Sequence, residues 1–240
     1  MIQITGQAEL IKTLTKLNSE IMPDVIAESV TRMAHKVRTE IRTEMVRVFD
    51  RPTTYTLRSM YVKPAKKNMS RIYAETGFID YAGKGNPAAK YIRPEVEGGK
   101  RQLKGFELRL KAAGILPSGY YTAPGNGAKL NQYGNISQGT IQQILSYCKA
   151  QRDNHQNTKT GTGRRQQRNT FIVLNEENGK AGGVWKVGRG NSMVCILNFI
   201  KQPSYKAVLD INKIKDHQFN NNMARYTKEA FNKELNKIKA

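Results

Sequence analysis

The chain has 240 residues and a formal net charge of +21, from 40 Lys and Arg against 19 Asp and Glu, with 38% hydrophobic residues and a mean hydropathy of −0.61. Those totals argue against a membrane-spanning helix, since no window approaches the ~18 apolar residues a bilayer requires. They also argue against wholesale disorder, since aromatic and β-branched residues are plentiful enough to build a core. Such a chain suits one large domain or two small ones.

Ile2 and Ile4 alternate with polar residues up to Gly6 and predict a short strand, and Leu10, Leu14 and Leu17 predict a helix over 7–18. Pro23 and Asp24 then suit a helix start. From Val25 to Phe49 the apolar series Ile26, Val30, Met33, Val37, Ile41, Met45, Val48 recurs every three or four residues, which predicts one long amphipathic helix. Its apolar face fits either an intrachain core or a subunit interface, for which Ile26, Val30, Met33, Val37, Ile41 and Met45 are the candidates. Pro52 ends it, because the residue before a proline is steered out of the helical region.

Residues 60–62 and 70–76 read as strands flanking a basic turn, Lys63-Pro64-Ala65-Lys66-Lys67-Asn68. Residues 88–92 read as a helical turn, and 103–113 as an amphipathic helix with Phe106, Leu110 and Ala113 on one face and Gly114 as its C-terminal stop. The Gly-, Pro- and Asn-rich stretch 120–135 reads as an ordered loop. Ser137 is the expected N-cap of a helix over 141–149. Residues 150–169 are polar and basic, ending Arg164-Arg165-Gln166-Gln167-Arg168, and read as a flexible excursion. Three strands follow, around 171–174, 183–187 and 193–197, then a closing helix over 212–238 carrying Phe219, Met223, Tyr226, Ala230, Phe231, Leu235 and Ile238. Strands together with long helices give an α+β fold: a long N-terminal amphipathic helix on a small, mostly antiparallel sheet, with extended loops and a C-terminal helix. The expected organisation is a core over 1–149, the excursion 150–169, and residues 170–240 completing the same domain.

The charge is unevenly spread. Residues 1–50 hold seven basic and seven acidic side chains, whereas 51–111 hold fourteen against five and 112–168 seven against one. A field of this kind favours nucleic acid, an anionic surface or an acidic partner protein. The basic clusters are Lys63, Lys66, Lys67 and Arg71; Lys100, Arg101 and Lys104; and Arg164, Arg165 and Arg168. Tyr61, Tyr73 and Tyr91 lie near them in sequence and could stack on single-stranded bases. Nothing resembles a base-reading helix, so any binding is expected to be non-specific.

Catalytic chemistry has little to work with. His35, His155 and His217 have no Cys or Asp at metal-ligand spacing, and no nucleophile elbow or P-loop is present. Glu75, Glu95, Glu97 and Lys100 would suit Mg²⁺-dependent phosphodiester cleavage only if they converged. No enzyme activity, metal or cofactor is expected. Cys148 and Cys195 read as free, buried thiols of a reducing compartment, and the opening residues lack the features of a signal peptide.

The middle of the chain carries a more specific pattern. Arg51-Pro52-Thr53-Thr54, the loop Gly83-Lys84-Gly85-Asn86-Pro87-Ala88-Ala89-Lys90-Tyr91 and the segment Lys129-Leu130-Asn131-Gln132-Tyr133-Gly134 follow the helical front end. Together they resemble the bacteriophage minor tail protein Z-like, or tail-completion, family of the virion neck, over roughly residues 4–147. The resemblance implies a structural virion protein, assembled in the host cytoplasm, that forms a ring joining head connector to tail. That ring is commonly sixfold, with twelvefold as the alternative. Its implied partners are further copies of itself, the neighbouring connector, adaptor and tail proteins, and double-stranded DNA touched non-specifically in the channel. No membrane is involved. A DNA-binding or packaging accessory protein that works without a ring is the rival expectation, and a nuclease is a third.

Overall fold

The computed structural model describes residues 15, 17–68, 71–83, 86–158, 171–175, 182–188, 190 and 192–239. The fold is α+β, and its contacts gather into two compact units. Unit one takes residues from both ends of the chain, Met1–Phe49 and Leu209–Ala240, together with Thr54–Ile79. Unit two is Asp50–Thr53 with Asp80–Val208, so neither 149 nor 169 marks a boundary between the units.

In unit one, α1 (Met22–Val48) follows a π-helical turn at Leu17–Ile21, with Pro23 in its first turn as expected. It ends where Phe49 turns extended, and Arg51, before Pro52, adopts a left-handed φ of 48°. The short α2 (Thr54–Arg58) leads to β1 (Met60–Lys63), which pairs antiparallel with β2 (Glu75–Phe78). The second strand thus begins later than the expected 70–76. The chain closes with α6 (Ile211–Lys239), which packs along α1, while the β1–β2 hairpin packs on α1 as well.

The helical period of α1 explains this arrangement. Val25, Met33, Val37, Ile41 and Met45 are all at most 6% exposed, with Ala27, Ser29 and Ala34 filling the gaps on the same side. Each large apolar side chain withdrawn from water contributes about 1.5–3 kcal/mol. On α6 Tyr226 and Ala230 are buried, as is Gln218. Phe219, on the same helix, is 50% exposed. The side chain of Ile238 lies outside the described residues. Around the seam, Arg32 pairs with Glu229 at 2.5 Å and lies over the Tyr226 ring, and Lys233 pairs with Glu28 at 2.7 Å.

Unit two is built on a four-stranded antiparallel sheet in the order β4-β7-β6-β5. Its strands are β4 (Tyr120–Pro124), β5 (Phe171–Leu174), β6 (Gly183–Val187) and β7 (Met193–Lys201). The three-stranded meander was expected. The fourth strand lies inside the stretch read as a loop, and pairs Tyr120–Pro124 with Leu197–Lys201. Helices α3 (Ala88–Glu97), α4 (Gly105–Ala112) and α5 (Gln138–Tyr147) complete the unit. A two-residue ladder joins β3 (Gly99–Lys100) to β8 (Ser204–Tyr205). Leu110, Leu116, Ile144, Leu145, Phe171, Val184, Ile196, Leu197 and Phe199 form the core. Ser137 caps α5 as expected, its hydroxyl accepting the Thr140 N–H at 3.1 Å. Gly114, at φ 73°, ends α4. The buried face of α4 differs from expectation: Glu107 is buried beside Leu110, and Ala113 is exposed. The expected strand at 2–4 and helix over 7–18 lie almost wholly outside the described residues.

Candidate polyanion interface

The first basic cluster belongs to the β1–β2 hairpin of unit one. Antiparallel register places Lys63 opposite Glu75. Their side chains meet at 3.3 Å, the Lys63 ammonium lies over the Tyr61 ring, and the Tyr61 hydroxyl donates to Glu75. The Glu75 hydrogen bond raises the Lys63 pKa, and the Tyr61 and Lys63 donors lower that of Glu75. Two contacts hold the first part of the connection, at Ala65 and Lys67, on α1. The Ala65 N–H donates to the Thr31 hydroxyl at 2.9 Å, and Lys67 pairs with Asp24 at 3.0 Å. Lys63 and Lys67 are therefore neutralised within the chain. Lys66 and Arg71 are exposed and pair with no carboxylate among the described residues. Tyr73 is 50% exposed and close enough to Lys63 to contribute to its pKa shift.

The second cluster divides on folding. Lys100 is exposed on β3. Arg101, expected to be a free basic residue, is committed elsewhere: its side chain is only 12% exposed and forms a double hydrogen bond at 2.7 Å with the Glu107 carboxylate, itself 0% exposed. The guanidinium also lies over Tyr121 and donates to the Thr122 carbonyl at 3.2 Å. Glu107 further accepts the Lys104 N–H at 2.6 Å, and the Thr122 N–H and hydroxyl at 2.8 Å each. Burial alone would raise the Glu107 pKa, but Arg101 and the Lys104 and Thr122 donors outweigh it and leave the carboxyl below its ordinary value. The arrangement has a structural logic. Thr122 sits on β4, an edge strand, where an N–H and a carbonyl would otherwise lack partners. Arg101 and Glu107 supply them. The third cluster, Arg164, Arg165 and Arg168, lies outside the described residues.

The candidate interface face of α1 is likewise largely consumed within the chain. Met33, Val37, Ile41 and Met45 are buried in unit one, because α6 and the hairpin cover that stripe. Val30 is half-buried and Ile26 is 37% exposed. Of the acidic set considered for metal chemistry, Glu75 is held by Tyr61 and Lys63, and Glu97 pairs with Arg93 at 2.7 Å. Glu95 is half-buried, and desolvation raises its pKa. Among the described residues no group of three His, Cys, Asp or Glu is placed to hold a metal. No described helix is long and apolar enough to cross a membrane. Cys148 and Cys195 are free thiols.

Unit two also holds a groove that its sequence does not announce. The groove, of about 800 Å³, opens between the start of α4, strand β4, the loop at Gly134–Ile136 and the start of α5. Its cations are Lys104, Arg109 and Arg152, and no carboxylate lines it among the described residues. Lys104 is exposed, yet protein surrounds it closely enough that desolvation, and then the Arg101 guanidinium, push its pKa down against a pull from Glu107. The lining residues come from six separate stretches, so no local spacing brings them together.

Compared with family models, curated proteins and solved structures, the chain matches none.

Proposed function

We propose that the chain is a structural protein of a bacteriophage neck or tail, one subunit of a ring that joins head connector to tail and touches the enclosed DNA without reading its sequence. The resemblance over residues 4–147 suggests the ring. The observation that favours the DNA contact is the hairpin: Lys66 is exposed between two pins to α1, at Ala65 and Lys67, and Arg71 and Tyr73 are exposed ahead of β2. A pinned basic loop has little ordering entropy left to lose when it meets a phosphate. In a ring built from one repeated heterologous contact, each subunit would bring the same loop to an equivalent position.

Sedimentation of the full chain, alone and mixed with connector and tail proteins, tests the reading. The expected result is one discrete closed assembly, formed alone or with those partners. A chain that stays monomeric in every mixture but binds DNA would replace it with the second reading, a non-specific DNA-binding or packaging accessory, which the same exposed cations also favour.

A further inference from the structure

We propose that the groove of unit two is a docking site for an acidic, extended polypeptide segment of a partner protein. The charge is complementary in an unusually one-sided way. Among the described residues Lys104, Arg109 and Arg152 line the groove without an opposing carboxylate, because the nearby Glu107 is already buried against Arg101. An anion entering it meets three cations and no lining carboxylate among the described residues.

The walls favour peptide over nucleic acid. The apolar lining is mainly aliphatic, with Ile136 and Ile141 packed against the core of unit two. Among the described residues Phe106 is the sole aromatic lining the groove, and it is itself partly buried against that core. A single strand of nucleic acid draws on a row of exposed aromatic faces for stacking, and the described lining offers none. An aliphatic floor instead accepts Leu- or Val-type anchors. Asn86, Asn135, Gln138 and Gln142 supply side-chain amides, which can both donate to and accept from a peptide backbone. The segment implied alternates acidic and aliphatic residues, so that one face meets the floor and the other the cations. It does not add to β4 as a strand at Thr122, whose N–H and carbonyl are already bonded to Glu107 and Arg101. The groove is lined by residues of unit two and the hairpin belongs to unit one, so the two proposals can fail separately.

The test is fluorescence anisotropy of the full chain at about 0.15 M salt with three labelled probes: a ten-residue peptide alternating Glu and Leu, a ten-residue poly-Glu peptide and a ten-nucleotide oligo-dT. The expected order is Glu/Leu peptide tightest. Arg152→Glu and, separately, Arg109→Gln should each weaken that peptide about tenfold, as loss of a charge contact at an interface does. Gln138→Trp, which obstructs the groove without changing charge, should weaken it as much, with oligo-dT binding unmoved. Thermal melting of each variant shows whether its fold is intact. Equal binding of poly-Glu and the Glu/Leu peptide, or indifference to Gln138→Trp, would overturn the proposal by showing attraction to net charge alone. Loss of oligo-dT rather than peptide binding in the same variants would assign the groove to nucleic acid instead.

Discussion

Glu107 is the residue on which most of unit two's polar organisation converges. Five donors reach its carboxylate: two from Arg101, the Lys104 and Thr122 N–H groups, and the Thr122 hydroxyl. Replacement by Gln keeps the shape but leaves one acceptor oxygen and turns an NH₂ group toward existing donors. Glu107→Gln should therefore lose about 3–5 kcal/mol of stability, the range for breaking a buried ion pair from one side, as measured by urea unfolding. The pH dependence has a definite sign. Because the folded-state pKa lies below the ordinary carboxylate value, the stabilisation is fully present above that ordinary value and is lost as pH falls through the folded one. Between about pH 7 and 3 the wild type should lose more stability than Glu107→Gln does, and the two curves should converge on acidification. Parallel curves would show that the carboxylate's charge does not matter.

At the scale of elements, the long helices carry unit one. Ile41 is 1% exposed in the α1 stripe, and Ile41→Ala removes a side chain that α1, α6 and the hairpin cannot all close over. The expected loss is about 2–5 kcal/mol, read as a lowered melting midpoint. An unchanged midpoint would mean that this seam is not the core of unit one. This helix was legible from sequence because seven apolar positions spaced by three or four residues line one side of a helix and both sides of a strand. Ser137 and Gly114 were legible because caps and left-handed stops depend on local chemistry. Strand β4 was not. Gly119 precedes it, Pro124 ends it and Gly125 and Gly127 follow, and its edge groups are satisfied by Arg101 and Glu107 from another segment. The same distant pairing shows why Arg101 read as free charge. It also shows why α1 left core and interface undecided: its stripe is covered by α6, at the far end of the chain.

At the scale of the whole molecule, the net charge of +21 acts either as a diffuse field or through particular contacts. Unit two holds 21 Lys and Arg against eight Asp and Glu, and unit one 19 against 11. Beyond a Debye length of about 8 Å at 0.15 M salt, exposed charges are screened, so only cations that touch phosphate contribute counterion release. Each such contact steepens the dependence of log affinity on log salt by about 0.9 on duplex DNA. Removing Lys66 and Arg71 together should flatten that slope by about two and weaken binding equally for every DNA sequence. The control is Lys213→Ala with Lys228→Ala, which lowers net charge by the same amount on exposed positions of α6. If the hairpin is the contact, only the first pair changes the slope. Two pairs with equal effects would mean that the molecule attracts DNA through net charge, and the exposed loop of unit one would lose its claim to be the surface that meets it.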